Sequence, residues 1–206
     1  MLKLFAHPFS PHARKAHFVL EESGHPYVYE LVDLAKGEQK SAAFLARNPT
    51  GKVPVLQDDE FLLPESGAIL RYVAENYAPG KLLPADKHLR ALVDKWLFWQ
   101  PSEANQILHK PFQVKVFAHL AGKTPDEAAF QQAVQACQPV LKHLDDSLAG
   151  KQFVVGDTFT IADIALCESI FQLHLVGVQT SHCTNLQGWY ERLSERPAFK
   201  KTRPPA

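Results

Sequence analysis

Near residue 78 the sequence changes its repeat, and the change divides the chain into two parts of different construction. Over residues 1–77 short apolar stretches switch between the two-residue repeat of a strand and the 3.6-residue repeat of a helix. Leu2, Leu4 and Ala6 alternate as a strand. Pro8, Ser10 and Pro11 then open a helical stretch carrying Ala13, Ala16, Val19 and Leu20, which Gly24 stops. Residues 27–32 have strand composition and 41–47 read as a short helix. Residues 55–57 and 61–63 flank the acidic turn Asp58, Asp59, Glu60 as a hairpin, and a helix runs from Ser66 through Tyr77. A βαβ crossover makes its strands parallel and a tight hairpin makes them antiparallel, so the order βαβαββα predicts a small mixed sheet with helices packed on it.

Pro79, Gly80 and Pro84 mark residues 78–87 as a linker, and no strand pattern follows. Residues 88–206 read as an all-helical second domain. Leu89, Leu92, Val93, Trp96 and Leu97 repeat helically, as do Phe130, Ala133, Val134, Cys137, Leu141, Leu144 and Leu148. Thr124, Pro125 and Glu127 have the spacing of a helix-start capping box, with Gly150 at the end. Pro101, Pro111 and Pro139 predict bends or breaks. In the stretch 159–163, Thr160 and Asp163 form a second capping box, with Phe159 and Ile164 at the flanking apolar positions. Trp96 and Trp99 are assigned to packing.

Several function classes recede on composition. With 46% hydrophobic and 21% charged residues, the chain is neither disordered nor fibrous. Its 22 basic and 22 acidic side chains create no field for nucleic acid or an anionic membrane. Cys137, Cys167 and Cys183 are widely spaced and fit free thiols in a reducing compartment. No apolar run approaches the roughly 18 residues of a membrane span, and the start MLKLFAHP has no secretory core, so the expected location is the cytoplasm. His7, His12 and His17 recur every five residues and spread around a helix, so no metal site is expected.

Three segments of the first part place polar groups beside a helix start or a proline turn: HPFSPHARK from His7, NPTGKVPVL from Asn48 and LPESGAILRYV from Leu63. A helix start carries unpaired amides and partial positive charge, which suits a carboxylate or thiolate. Read alone, Ser10 and Ser66 are ordinary N-caps and Glu65 a helix-dipole partner.

Together, in this order and spacing, the segments resemble the glutathione S-transferase family, across essentially the whole chain and most specifically over residues 1–77. HPFS with KGEQK and ARNPTGKVPVL looks most like the serine-type phi and theta-related bacterial branches. The resemblance implies a thioredoxin-like α/β domain followed by an all-α domain. It also implies attack of the glutathione thiolate on an apolar electrophile, with glutathione as co-substrate and no other cofactor.

Carried over by motif, Ser10 is the catalytic hydroxyl that donates to the thiolate. The Val53–Pro54 bond is expected to be cis, presenting the Val53 backbone to the cysteinyl unit. Glu65 and Ser66 hold the γ-glutamyl end, and Lys40 and Lys52 hold the glycyl carboxylate. Gln39 stands where phi members usually carry His; it can donate a hydrogen bond but cannot become cationic. Arg14 is expected in a surface or interdomain salt bridge. Phe9, Phe112, Phe117 and Leu173 are the electrophile-binding candidates by position, in a cleft between the domains. A homodimer is implied, with Ala68, Arg71 and Tyr72 of the helix after Ser66 in its interface.

Other chemistries stay open on these residues. Glutathione-dependent peroxidase activity needs no protein cysteine, and a non-catalytic module binding glutathione or apolar ligands would keep the same fold. A thiol-disulfide reductase is disfavoured because no cysteine precedes Cys137.

Overall fold

The computed structural model describes residues 1–204. It divides into two compact units, Met1–Asp86 together with the chain end from Arg196, and Lys87–Glu195.

In the first unit, strand β1 (Leu2–Ala6) leads into helix α1 (Pro11–Ser23), which Ser10 caps and Gly24 ends in the left-handed region at φ 73°. Strand β2 (Tyr27–Leu31) lies parallel to β1. A 3-10 turn (Glu38–Lys40) and helix α2 (Ala42–Leu45, capped by Ser41) lead to strands β3 (Val55–Asp58) and β4 (Phe61–Pro64), and helix α3 (Ser66–Asn76) follows. The sheet order is β2-β1-β3-β4, with β1–β3 and β3–β4 antiparallel, so the mixed sheet expected from the element order is present. Leu2, Leu4 and Ala6 are buried, as are Ala13, Ala16, Phe18, Val19 and Leu20 of α1 and Ile69, Leu70 and Val73 of α3. Val32, Phe44 and Val55 form a second cluster with Phe5, Leu34, Val53 and Leu62, so α2 contributes its single buried side chain, Phe44.

Helix α10 (Pro197–Lys201) belongs to this first unit, where the sequence had assigned it to the helical domain. Phe199 meets Phe18 edge-on with ring centres 5.9 Å apart, and Arg196 forks onto Glu22 at 2.6 and 2.8 Å. Phe18 and Glu22 lie one turn apart on α1, so their face needs a cover that is both apolar and cationic. The last turn of the chain supplies both. The segment 78–86, read as a linker, also lies within this unit, where Leu82 and Leu83 are buried.

The second unit contains helices α4 (Lys87–Trp99), α5 (Asn105–Leu108), α6 (Lys110–Leu120), α7 (Glu127–Leu148), α8 (Ile161–Leu175) and α9 (Thr184–Ser194). Pro101 falls in a π-helical turn, Gln100–Ala104, and Pro111 in the first turn of α6, where its missing amide costs nothing. Pro139, however, does not break α7. An internal proline costs about 3 kcal/mol, while α7 buries Phe130, Cys137, Val140, Leu141, Leu144 and Leu148, each large apolar member of which contributes about 1.5–3 kcal/mol. The cap of α7 is Asp126, which accepts from the Ala129 amide at 3.0 Å, in place of the expected Thr124.

Helix α8 is buried on nearly all sides, which its run of apolar residues requires. Its expected capping box is present. The Asp163 carboxylate accepts from the Thr160 amide and hydroxyl at 2.9 and 3.1 Å, and also from the Val154 amide at 3.0 Å and Trp189 Nε1 at 2.9 Å. Burial pushes the Asp163 carboxyl upward against the pull of these donors.

Candidate functional site

The strand-to-helix turn after β1 holds Ser10. Its Oγ accepts from the Ala13 amide at 3.2 Å and its own amide donates to the His7 carbonyl at 3.0 Å. Its side chain is therefore fixed at the N-terminus of α1, among that helix's first amides. Arg14 braces the turn from inside: it is 1% exposed and its Nη1 donates to the Pro8 carbonyl at 3.1 Å. The surface half of the expectation for Arg14 is thereby corrected, because the guanidinium is buried under the turn.

The turn 48–54 is organised by Asn48. Its Nδ2 donates to the Lys52 carbonyl at 2.7 Å, and its Oδ1 accepts from the Thr50 amide at 3.1 Å and hydroxyl at 2.9 Å. Gly51 sits at φ +62°, and a Cβ there would fall 2.9 Å from both the Gln39 carbonyl and Lys40 Nζ, so only glycine lets the segments approach. Gln39 and Lys40 thus lie against this turn, with Gln39 Oε1 buried and without a hydrogen-bond partner. The Val53–Pro54 peptide bond is cis.

Glu65 precedes α3 at φ 73° and ψ 114°, a conformation sparsely occupied by residues with a Cβ. Its side chain makes no capping bond to the helix, and Ser66 is the first helical residue, 7% exposed. Neither residue spends its side chain on the local capping role that the sequence alone favoured. The Ser66 hydroxyl instead stands 3.4 Å from Nδ1 of His12.

Lys52, Val53, Glu65 and Ser66 line one cleft of about 180 Å³, joined by His12, Asn48 and Pro54. His12, read from sequence as one of three histidines spread around a helix, and Asn48 were not among the predicted glutathione-binding residues. The signal for His12 was its place two residues after Ser10 on α1, and for Asn48 its place at the head of the proline-turn segment. Ser10, Gln39 and Lys40 do not line this cleft themselves.

Phe112, Phe117 and Leu173, the electrophile candidates of the second unit, do not share one surface. Phe9 is 57% exposed and Phe117 61%. Phe112 stacks on His109 with ring centres 5.3 Å apart, and five residues along α6 place Phe112 and Phe117 on different sides of that helix. Leu173 is fully buried and has no surface to offer a ligand. Its candidate role is corrected to core packing, because α8 is enclosed on nearly all sides.

A larger cleft of about 530 Å³ lies over β2, walled by Tyr27, Tyr29, His17 and Glu21. Glu21 takes the Tyr27 hydroxyl, Lys201 at 2.8 Å and His17 at 3.6 Å, so these polar groups are spent on one another. Burial pushes the Tyr29 phenol up to about 12 and moves His17 downward. Cys137, Cys167 and Cys183 are all buried, and burial pushes the Cys137 thiol up to about 11, away from a nucleophilic thiolate. Among the described residues no group of three or more His, Cys, Asp or Glu side chains is placed to hold a metal ion, and no helix is long and apolar enough to cross a membrane.

The model of the glutathione S-transferase N-terminal domain matches residues 4–81, and that of the C-terminal domain matches residues 104–197. Glutathione S-transferase GstB of Escherichia coli strain K12 is 36% identical over 206 residues, covering 98% of this chain and 97% of the relative. The chain belongs to the glutathione S-transferase family. Among solved structures, this transferase chain is similar to glutathione transferase F7 from Populus trichocarpa, with a TM-score of 0.91 at 28% identity over 98% of this chain and 97% of that one. It is also similar to the theta class glutathione S-transferase from Xanthomonas axonopodis pv. citri with glutathione bound. There the TM-score is 0.90 at 33% identity, over 100% and 98% of the two chains. The second likeness agrees with the theta-related character of the motifs.

Proposed function

We propose that this glutathione transferase holds glutathione along the 48–54 turn and the start of α3, and that Ser10 activates its thiol. The observation that carries the reading is the Ser10 hydroxyl: its oxygen accepts the Ala13 amide at 3.2 Å, which leaves its hydrogen to donate to sulfur. A free thiol titrates near about 8.5, so only a few per cent is ionised at neutral pH. One hydrogen bond to a charged group contributes about 1.5–3 kcal/mol, which lowers that pKa by roughly one to two units. The amides at the start of α1 add positive potential.

In this reading Ser66 and the first amides of α3 receive the γ-glutamyl carboxylate, and Glu65 receives the amino group. The Val53 backbone pairs with the cysteinyl unit, and Lys40, Lys52 and the Gln39 amide hold the glycyl carboxylate. The second substrate is an apolar electrophile. The chain works as a homodimer in the cytoplasm, with Ala68, Arg71 and Tyr72 of α3 in the interface and glutathione as its only small-molecule helper. Conjugation is favoured over thiol-disulfide chemistry because all three cysteines are buried.

The test is a set of assays with and without glutathione against aryl halides, isothiocyanates, epoxides and organic hydroperoxides. Glutathione-dependent loss of an aryl halide or isothiocyanate is the expected result. Turnover of hydroperoxides alone would make the protein a peroxidase, and glutathione binding with no turnover of any of them would make it a binding module.

A further inference from the structure

The cleft at the start of α3 holds one imidazole, that of His12. Lys52 from the 48–54 turn and Glu65 ahead of α3 are the other ionisable side chains that line it, and groups of those types titrate outside pH 5.5–8. An imidazole titrates inside that range. His12 projects from the first turn of α1, and its Nδ1 is 3.4 Å from the Ser66 hydroxyl.

That pairing has two states. A neutral imidazole nitrogen without a hydrogen accepts the Ser66 hydroxyl hydrogen, which points it away from any ligand. A protonated imidazole has a hydrogen on both nitrogens and can only donate. Ser66 Oγ must then accept from Nδ1, and its own hydrogen turns toward another acceptor. Ser66 is the first residue of α3, 7% exposed, at a helix end whose unpaired amides favour a carboxylate.

We infer that His12 is a positioning residue for glutathione: protonation of its imidazole turns the Ser66 hydroxyl hydrogen onto the γ-glutamyl carboxylate and ties the affinity of the cleft to pH. The inference rests on the glutathione reading above. It sets two opposed trends in one site, since thiolate formation gains as pH rises while His12-assisted binding gains as pH falls. The imidazolium also brings a positive charge to the carboxylate end of the ligand, which strengthens the same trend.

S-methylglutathione separates these trends, because it has no thiol and its own groups do not titrate between pH 5.5 and 8. Its Kd for the parent protein, measured by calorimetry, is expected to be about threefold to tenfold tighter at pH 5.5 than at pH 8. In His12→Gln the Kd is expected to be flat across that range. In the parent, the pKa of the His12 imidazole followed by NMR rises when S-methylglutathione is added, a readout that does not depend on any variant folding. The same slope in His12→Gln as in the parent, or a His12 titration unmoved by the ligand, overturns the inference alone. Failure of the parent to bind S-methylglutathione at either pH overturns the glutathione reading and this inference with it.

Discussion

The Ser10 hydroxyl oxygen accepts the Ala13 amide hydrogen across 3.2 Å, so one side chain both caps α1 and keeps a hydrogen to donate. Ser10→Ala removes both. Capping loss destabilises by about 1 kcal/mol, and turnover at neutral pH falls roughly tenfold to a hundredfold through loss of the donor to sulfur. Turnover recovers partly as pH rises toward the titration of free glutathione. Ultraviolet thiolate absorbance of bound glutathione across a pH series checks this, and an unchanged thiol pKa with unchanged turnover would leave Ser10 as a cap only.

Glu65 separates binding from chemistry. Glu65→Ala should weaken glutathione binding while leaving the pKa of the bound thiol nearly as in the parent, the reverse of Ser10→Ala. Because Glu65 sits at φ 73°, Glu65→Gly should lose the same binding yet be more stable than Glu65→Ala by about 1 kcal/mol. Paired denaturation curves and glutathione titrations of the two variants test both halves. Equal stability would show that the backbone relaxes once the carboxylate is gone.

Asp163 should be among the most sensitive positions for stability. Its removal in Asp163→Ala strands the Val154 amide and the Trp189 indole nitrogen as well as the Thr160 donors. The cost is about 3 kcal/mol or more, beyond that of a lost cap alone. Urea denaturation midpoints of mutant and parent measure it, and coincident midpoints would refute the network's contribution.

Stability should fall on acidification. Burial moves both His17 and His174 below the ordinary imidazole value of 6.5. A histidine whose folded value is lowered favours the native state while neutral. That contribution is complete above about 6.5 and is lost as pH drops through the lowered folded values. His174, with Nε2 at 2.9 Å from the Thr180 hydroxyl, is the simpler case, since burial alone moves it. Denaturation between pH 7.5 and 5 should show a declining midpoint, with a shallower decline in His174→Gln. An equal decline in that variant would shift the effect to other groups.

The dimer proposal has a direct measure. Light scattering at micromolar concentration should give about twice the 23.1 kDa chain mass. The exposed apolar side chains of α4, Leu89, Leu92 and Phe98, are surface that self-association would cover. A mass near that of one chain would reject it.

Local patterns alone determined most of the fold. The alternation of Leu2, Leu4 and Ala6, the Ser10–Gly24 bounds of α1, the hairpin around Asp59 and the Thr160–Asp163 box each depend on residues a few positions apart, so each was legible. The family resemblance, not any local pattern, pointed to Lys52, Val53, Glu65 and Ser66, which line one cleft. Tertiary structure decided what depends on distant partners. Phe199 and Arg196 return to Phe18 and Glu22 because those α1 side chains need a cover, a demand no nearby residue announces. Pro139 stays inside α7 because burial along the helix outweighs one missing hydrogen bond, and Leu173 became core because α8 is enclosed. His12 joined Ser66 across 54 positions of sequence because the packing of α1 against α3, which no local repeat encodes, sets which polar side chains share a cleft.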